Sequence, residues 1–168
     1  MRQKITPILL FILMTLSCLR PETIAEHVQP GEKLPEFNAE LLDGTRICTE
    51  DMTGQYSLII LFSTTCPDCI NQLPEIQKFH DAEHESVKVL GINRGEKKEI
   101  VRTFLEKNNY TFPVCAPEDR SLYDIFDRQS GSGVPQIYIS NPDGVVTFYA
   151  DDSRVISERE LEGLIIIF

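Results

Sequence analysis

The stretch SLIILFSTTCPDC, Ser57 to Cys69, sets five consecutive apolar residues, Leu58 to Phe62, shortly before two cysteines three positions apart. A short apolar run rich in β-formers reads as a buried strand. From Pro67 to about Glu83 the apolar residues Ile70, Leu73, Ile76 and Phe79 fall on one helical stripe, with Pro67 suited to the first turn. Pro74 inside that stripe predicts a kink, because it removes a backbone donor and crowds the preceding turn. Cys66 thus stands at a helix N-terminus, where backbone donors and the helix dipole stabilise a thiolate. Cys69 follows almost one turn later, within reach of Cys66 but more sheltered. This arrangement suits a nucleophile and a resolving thiol: Cys66 attacks a substrate disulfide, and Cys69 then cleaves the mixed disulfide.

Three other chemistries compete for a C-x-x-C. The spacing Cys66-x2-Cys69-x10-His80-x3-His84 approaches that of a C2H2 zinc finger. On one helix, however, Cys69 and His80 lie roughly 16 Å apart, too far for one ion, and the histidines read as solvent-facing polar positions. Ser63-Thr64-Thr65-Cys66 is superficially similar to the hydroxyl-x-x-Cys arrangement of peroxiredoxins, but position 59 is Ile59 where those enzymes carry a proline. No arginine is placed beside the thiol by spacing; Arg94, Arg120 and Arg128 are candidates by composition alone. A structural disulfide is disfavoured because so short a loop removes little chain entropy.

At 168 residues one domain is expected. The chain opens MRQK, continues with an apolar run from Ile5 to Leu16 broken by Pro7 and Thr15, and reaches Ser17-Cys18. That is the order of an export signal, and the run is too short to span a bilayer as a helix. TLSC resembles the lipobox of bacterial lipoproteins, in which the cysteine is lipidated, although Thr15 stands where leucine is usual. The expected organisation is a lipoprotein-type signal peptide over 1–17, a tether over 18–34 rich in proline and charge, and a compact domain over 35–168. Cleavage after Ser17 would remove Arg2 and Lys4 and no acid, leaving 14 basic against 26 acidic residues, a net charge of −12. So acidic a surface repels phosphate backbones, so no nucleic acid is expected as a partner.

Along the domain, FNAELLDGTRICTED carries Asp43-Gly44 between half-apolar runs, a hairpin signal. VKVLGIN, Val87 to Asn93, is the next buried strand, and GEKKEIVRTFLEKNN an amphipathic helix with Ile100, Val101, Phe104 and Leu105 inward and Glu96 and Glu99 near its start. A short extended piece and a short helix from about Asp119 follow. Gln136–Ser140 and Val145–Tyr149 form a hairpin around Asn141-Pro142-Asp143-Gly144, and Ser157 to Phe168 a closing helix. This order predicts an α/β fold: a mixed central sheet with helices on both faces and an N-terminal β-hairpin extension. Cys48 and Cys115 read as single buried thiols rather than a bridge.

Together, SLIILFSTTCPDC, Pro74, VLGIN before a helix, FPV, and GVPQIYISNPDG resemble the thioredoxin superfamily, specifically the TlpA/ResA-like exported thiol-disulfide oxidoreductases, over about residues 31–168. The resemblance implies a thioredoxin-like fold and a Cys66/Cys69 dithiol needing no cofactor or metal. It implies that Pro135 is cis and faces the dithiol, with Val134 offering backbone hydrogen bonds to a substrate chain and Pro67 and Asp68 beside the nucleophile. It also implies protein thiol and disulfide substrates, a membrane electron donor, and a place in the cell envelope or periplasm, lipid-anchored through Cys18. Three positions depart from the pattern: Thr65 replaces a common tryptophan, Ile60 a buried acid, and Gln72 a glutamate found in some relatives. Asp68 works against the helix dipole at Cys66. A thiol peroxidase and a non-catalytic thioredoxin-like binding module are the alternatives.

Overall fold

The computed structural model describes residues 25–128, 133–151 and 154–166. The expected signal peptide, Cys18 and residues 18–24 of the expected tether lie outside these. β1 (Asn38–Glu40) and β2 (Arg46–Cys48) form a separate two-stranded antiparallel hairpin, turned at Gly44 with φ of 89°. A 3-10 turn (Thr49–Met52) leads into β3 (Tyr56–Phe62), followed by α1 (Pro67–Glu83), β4 (Val87–Asn93), α2 (Lys98–Asn108), β5 (Val114–Cys115), α3 (Ser121–Asp124), β6 (Gln136–Ser140), β7 (Val146–Ala150) and α4 (Glu158–Ile166).

The main sheet has the order β5-β4-β3-β6-β7. β3 lies at its centre, parallel to β4 and antiparallel to β6. This position explains its composition: Leu58, Ile59, Ile60, Leu61 and Phe62 are all 0% exposed, so both faces need apolar side chains. The mixed sheet and the hairpin extension are those expected from the sequence. β7 begins at Val146, one residue later than expected, with a register irregularity at Ile139/Ser140.

The chain departs from expectation in four places. Residues 25–34, assigned to a tether, lie on the domain. Val28 is fully buried and its N–H donates to the Phe126 carbonyl, while His27 stacks on Tyr149 with ring centroids 3.8 Å apart. Gly31 N–H donates to Val146 O, Val146 N–H to Glu32 O and Leu34 N–H to Gly144 O, each at 2.8 Å, so this strap pairs with the turn before β7 and with its first residue. The facing of α1, a single helix that includes Pro74, is the second. Its inward stripe is Cys69, Gln72, Leu73, Ile76 and Phe79, so that Ile70 is turned outward and 45% exposed. Ile100 on α2 is likewise outward, and His80 is half-buried with its ring edge-on to Phe112.

Candidate active site

The dithiol lies at the C-terminal end of β3. Cys66 is the N-cap residue of α1, with extended backbone and Pro67 in the first turn. Its carbonyl accepts from Ile70 N–H at 3.0 Å, and its own N–H donates to Ser63 O at 3.4 Å. Extended φ/ψ at the N-cap followed by proline is the local combination that starts a helix sharply. Cys66 is partly accessible and Cys69 fully buried. Burial pushes the Cys69 thiol well above the ordinary cysteine range. The Ser63 backbone opposes that rise, while Cys66 and Asp68 add to it. Pro67 and Asp68 are exposed on the rim beside Cys66.

Across from the helix start, the Val134–Pro135 peptide is cis. The Cys66 thiol donates to the Val134 carbonyl, with Sγ–O of 3.0 Å, so 68 residues of sequence separation close into one contact. A buried polar network supports the loop from behind. Gln136 Nε2 donates to Gly133 O at 3.0 Å and to the Tyr123 hydroxyl at 3.3 Å, and the Tyr138 hydroxyl donates to Gln136 Oε1 at 2.7 Å. Gln136 and Tyr138 are fully buried, where an unpaired polar atom would be costly. Sequence reading saw both only as strand residues.

The partners of two further polar groups, Glu96 and Gln72, are not legible in the sequence. Glu96 sits before α2 rather than in its first turn, and its carboxylate turns back to the loop between β3 and Cys66. Thr64 N–H donates to Oε2 at 2.8 Å, Thr64 Oγ1 to Oε1 at 2.6 Å, and Asn93 Nδ2 to Oε2 at 2.6 Å. Burial alone would raise the carboxyl pKa, but these donors outweigh it and hold the group below the usual range. The signal was present as Asn93-Arg94-Gly95-Glu96, a turn sequence directly after a buried strand. Gly95 has φ of 97°, and a Cβ there would lie 2.9 Å from Asp119 O. Gln72, where some relatives carry glutamate, is 1% exposed. It clamps the segment before α4, accepting from Ile156 N–H at 2.8 Å and donating to Ile156 O at 2.9 Å.

The residues of the competing chemistries are dispersed. Cys66 and Cys69 occupy one end of α1, and His80 and His84 lie at the other end of the same unbroken helix. Arg94 and Arg120 lie over the Tyr123 ring, their guanidinium carbons 5.2 and 4.8 Å from its centroid, and Arg128 pairs with Glu32 at 3.1 Å. The Thr64 hydroxyl is committed to Glu96, and the Ser63 and Thr65 hydroxyls lie 3.0 Å from each other. Cys48 and Cys115 are separate free thiols: Cys48 Sγ bonds to Asp51, and Cys115 is buried, with burial raising its thiol to about 12.

Comparison with known proteins gives a consistent neighbourhood. The AhpC/TSA family profile matches residues 30–149. Thiol-disulfide oxidoreductase ResA of Bacillus subtilis is 28% identical over 143 residues, covering 80% of this chain and 78% of that protein. A Mycobacterium tuberculosis protein with a peroxiredoxin name is 25% identical over 138 residues, covering 80% and 85%. Among solved structures, a DsbF homologue from Corynebacterium diphtheriae superposes with a TM-score of 0.70 at 20% identity, covering 89% of this chain and 96% of that one.

Proposed function

The chain belongs to the AhpC/TSA family of the thioredoxin superfamily, and from that premise we propose that this thiol-disulfide oxidoreductase reduces protein disulfides in the cell envelope. The observation that carries the reading is the Cys66 thiol 3.0 Å from the Val134 carbonyl on the cis-proline loop, with Cys69 buried behind it. A substrate chain laid along that loop hydrogen-bonds to the Val134 backbone and brings its disulfide to Cys66. The Cys66 thiolate attacks one substrate sulfur, joining to it and expelling the other as a thiolate that takes up a proton. Cys69 then gives up its proton and attacks Cys66 Sγ. The Cys66–Cys69 bond forms, the mixed disulfide breaks, and the second substrate thiol leaves. Two electrons pass from the dithiol to the substrate, and a membrane electron donor restores them. Pro67, Asp68 and the outward Ile70 form the rim that the substrate meets.

Cys18, outside the described residues, is the proposed lipid attachment point. Fatty-acid labelling that is lost in Cys18→Ser supports the anchor, and labelling unchanged by that substitution rejects it. For the reaction, Cys66→Ser is expected to abolish insulin-disulfide reduction, and Cys69→Ala to accumulate mixed disulfides with envelope proteins. Unchanged insulin reduction by Cys66→Ser rejects the enzyme reading. A reduction potential near −120 mV, at the oxidising end of the superfamily, would reverse the proposed direction. The commitment of Arg94, Arg120 and Arg128 to Tyr123 and Glu32 favours this reading over a peroxidase; rapid hydrogen peroxide consumption would favour the peroxidase instead.

A further inference from the structure

The dithiol stands without a carboxylate at either position where the family resemblance places one in other members. Ile60 is apolar, and Gln72 spends both ends of its amide on Ile156. Yet a carboxylate is built against the same loop from another element. Asn93, fully buried at the end of β4, accepts from Gly95 N–H at 3.1 Å and from Glu96 N–H at 2.8 Å, and so turns the chain back towards β3. The Glu96 side chain then receives Thr64 N–H, Thr64 Oγ1–H and Asn93 Nδ2–H, at 2.8, 2.6 and 2.6 Å. Thr64 is itself 9% exposed, and the loop it belongs to ties into the helix start through Cys66 N–H to Ser63 O.

Thr64 N–H and Asn93 Nδ2–H meet at one oxygen of Glu96, and the Thr64 hydroxyl donates to the other. A carboxylate accepts from all three through charge-assisted bonds, whereas a carboxamide gives up the charge and obliges the Thr64 hydroxyl to turn round and accept from its N–H2. The site is therefore built for a charged acceptor. We propose that Glu96 is a positioning residue for the resolving half of the reaction, holding the Ser63–Thr65 loop so that Cys69 attacks the mixed disulfide at Cys66 efficiently.

The two sulfurs depend on this loop unequally. Cys66 is also held by its place at the start of α1 and by Val134 O. Cys69 is enclosed, and among the influences on its thiol it is the Ser63 backbone that favours ionisation against burial. Loosening the loop thus removes support for the Cys69 thiolate while leaving the main supports of Cys66 in place. The inference rests on the proposed dithiol reaction and concerns only its second step: Cys69 loses its proton to solvent, the Cys66–Cys69 bond forms, the bond between Cys66 and the substrate sulfur breaks, and the substrate leaves as a thiolate.

The test is stopped-flow reaction of the reduced protein with an excess of Ellman's reagent. Attack by Cys66 releases one thionitrobenzoate, and resolution by Cys69 releases a second. In Glu96→Gln the second release is expected to slow about tenfold, the scale of one well-made hydrogen bond, while the first changes less than about threefold. Thr64→Val, which removes one of the three donors and keeps the charge, is expected to slow the second release in the same direction, and Thr64→Ser to rescue it. Equal slowing of both releases, or a wild-type ratio of the two rates accompanied only by a lower Tm, overturns the proposal. Should Glu96→Gln fail to fold, Thr64→Val against Thr64→Ser decides alone. If the wild-type protein shows no fast first release lost in Cys66→Ser, it is the dithiol reading itself that fails.

Discussion

Gln72→Glu restores the carboxyl that some relatives carry, yet in this chain it is expected to destabilise the fold in a pH-dependent way. Gln72 is 1% exposed and satisfies both backbone groups of Ile156. An ionised glutamate can still accept from Ile156 N–H, but its second oxygen then meets the Ile156 carbonyl at hydrogen-bond distance. A lost hydrogen bond and a buried charge against a carbonyl together cost about 3 kcal/mol. A protonated carboxyl can replace the amide at both ends, so the cost falls on ionisation alone. It corresponds to a folded-state pKa raised by about 2 units, from about 4.3 to about 6.5. With the folded value above the unfolded one, the stability contributed by the neutral form is fully present below the unfolded pKa and lost as pH rises through the folded pKa. The deficit relative to the native protein is expected to be absent below about pH 4, about half grown near pH 5.5 and complete above about pH 7. Thermal melts of the reduced proteins at pH 8 should place the variant about 6–12 °C lower, and at pH 5.5 by about half as much. Equal Tm values at pH 8, or the same deficit at both pH values, would refute the assigned role of Gln72.

Other expectations follow from equally local geometry. Ser57 and Ser140 share a buried hydroxyl pair at 2.6 Å; in urea unfolding, either single alanine variant should lose about 1–2 kcal/mol and the double variant clearly less than the sum. Cys69 and Cys115 are held protonated by burial, so the reduced protein should lose stability as pH rises above about 8.5, where the unfolded thiols ionise. The slope is on the order of 1 kcal/mol per pH unit for each thiol, and Cys115→Ala should roughly halve it. A flat profile to pH 10 would contradict the burial assigned to these thiols. Gly91→Ala would place a Cβ 3.0 Å from both the Phe112 ring and Val114; crowding of about 1–3 kcal/mol should appear as a lower urea midpoint.

What the sequence conveyed about this molecule depended on whether the signal was local. β3 and α1 are legible because a strand buried on both faces must be continuously apolar and a helix repeats its inward positions. The inward positions themselves were partly misplaced. The stripe from Ile70 looked complete, but Cys69 and Gln72 take the core-facing places, and neither is an obvious core residue. Residues 25–34 have no period. What holds them is backbone pairing to β7 and the isolated burial of Val28 and Leu34, which is invisible without knowing that β7 is a sheet edge. The dithiol and its proline loop were readable as motifs. Glu96, Gln136 and Tyr138 were not, because a buried polar side chain is explained only by its partner, and those partners lie on other elements.

The strap bears on how this domain meets other chains. The rims of a sheet present unpaired backbone, an invitation to strand exchange and aggregation. At the start of β7 the strap pairs with Gly144 and Val146 through Gly31, Glu32 and Leu34, and on the β5 rim Leu42 N–H donates to Val114 O at 2.9 Å while Leu41 bridges Cys115. Both sets of contacts come from upstream of β3, so the segment before the central strand covers backbone at both rims of the sheet. For a protein whose proposed substrates are other polypeptides, backbone covered at the rims would leave the cis-proline loop as the place where a substrate chain is met.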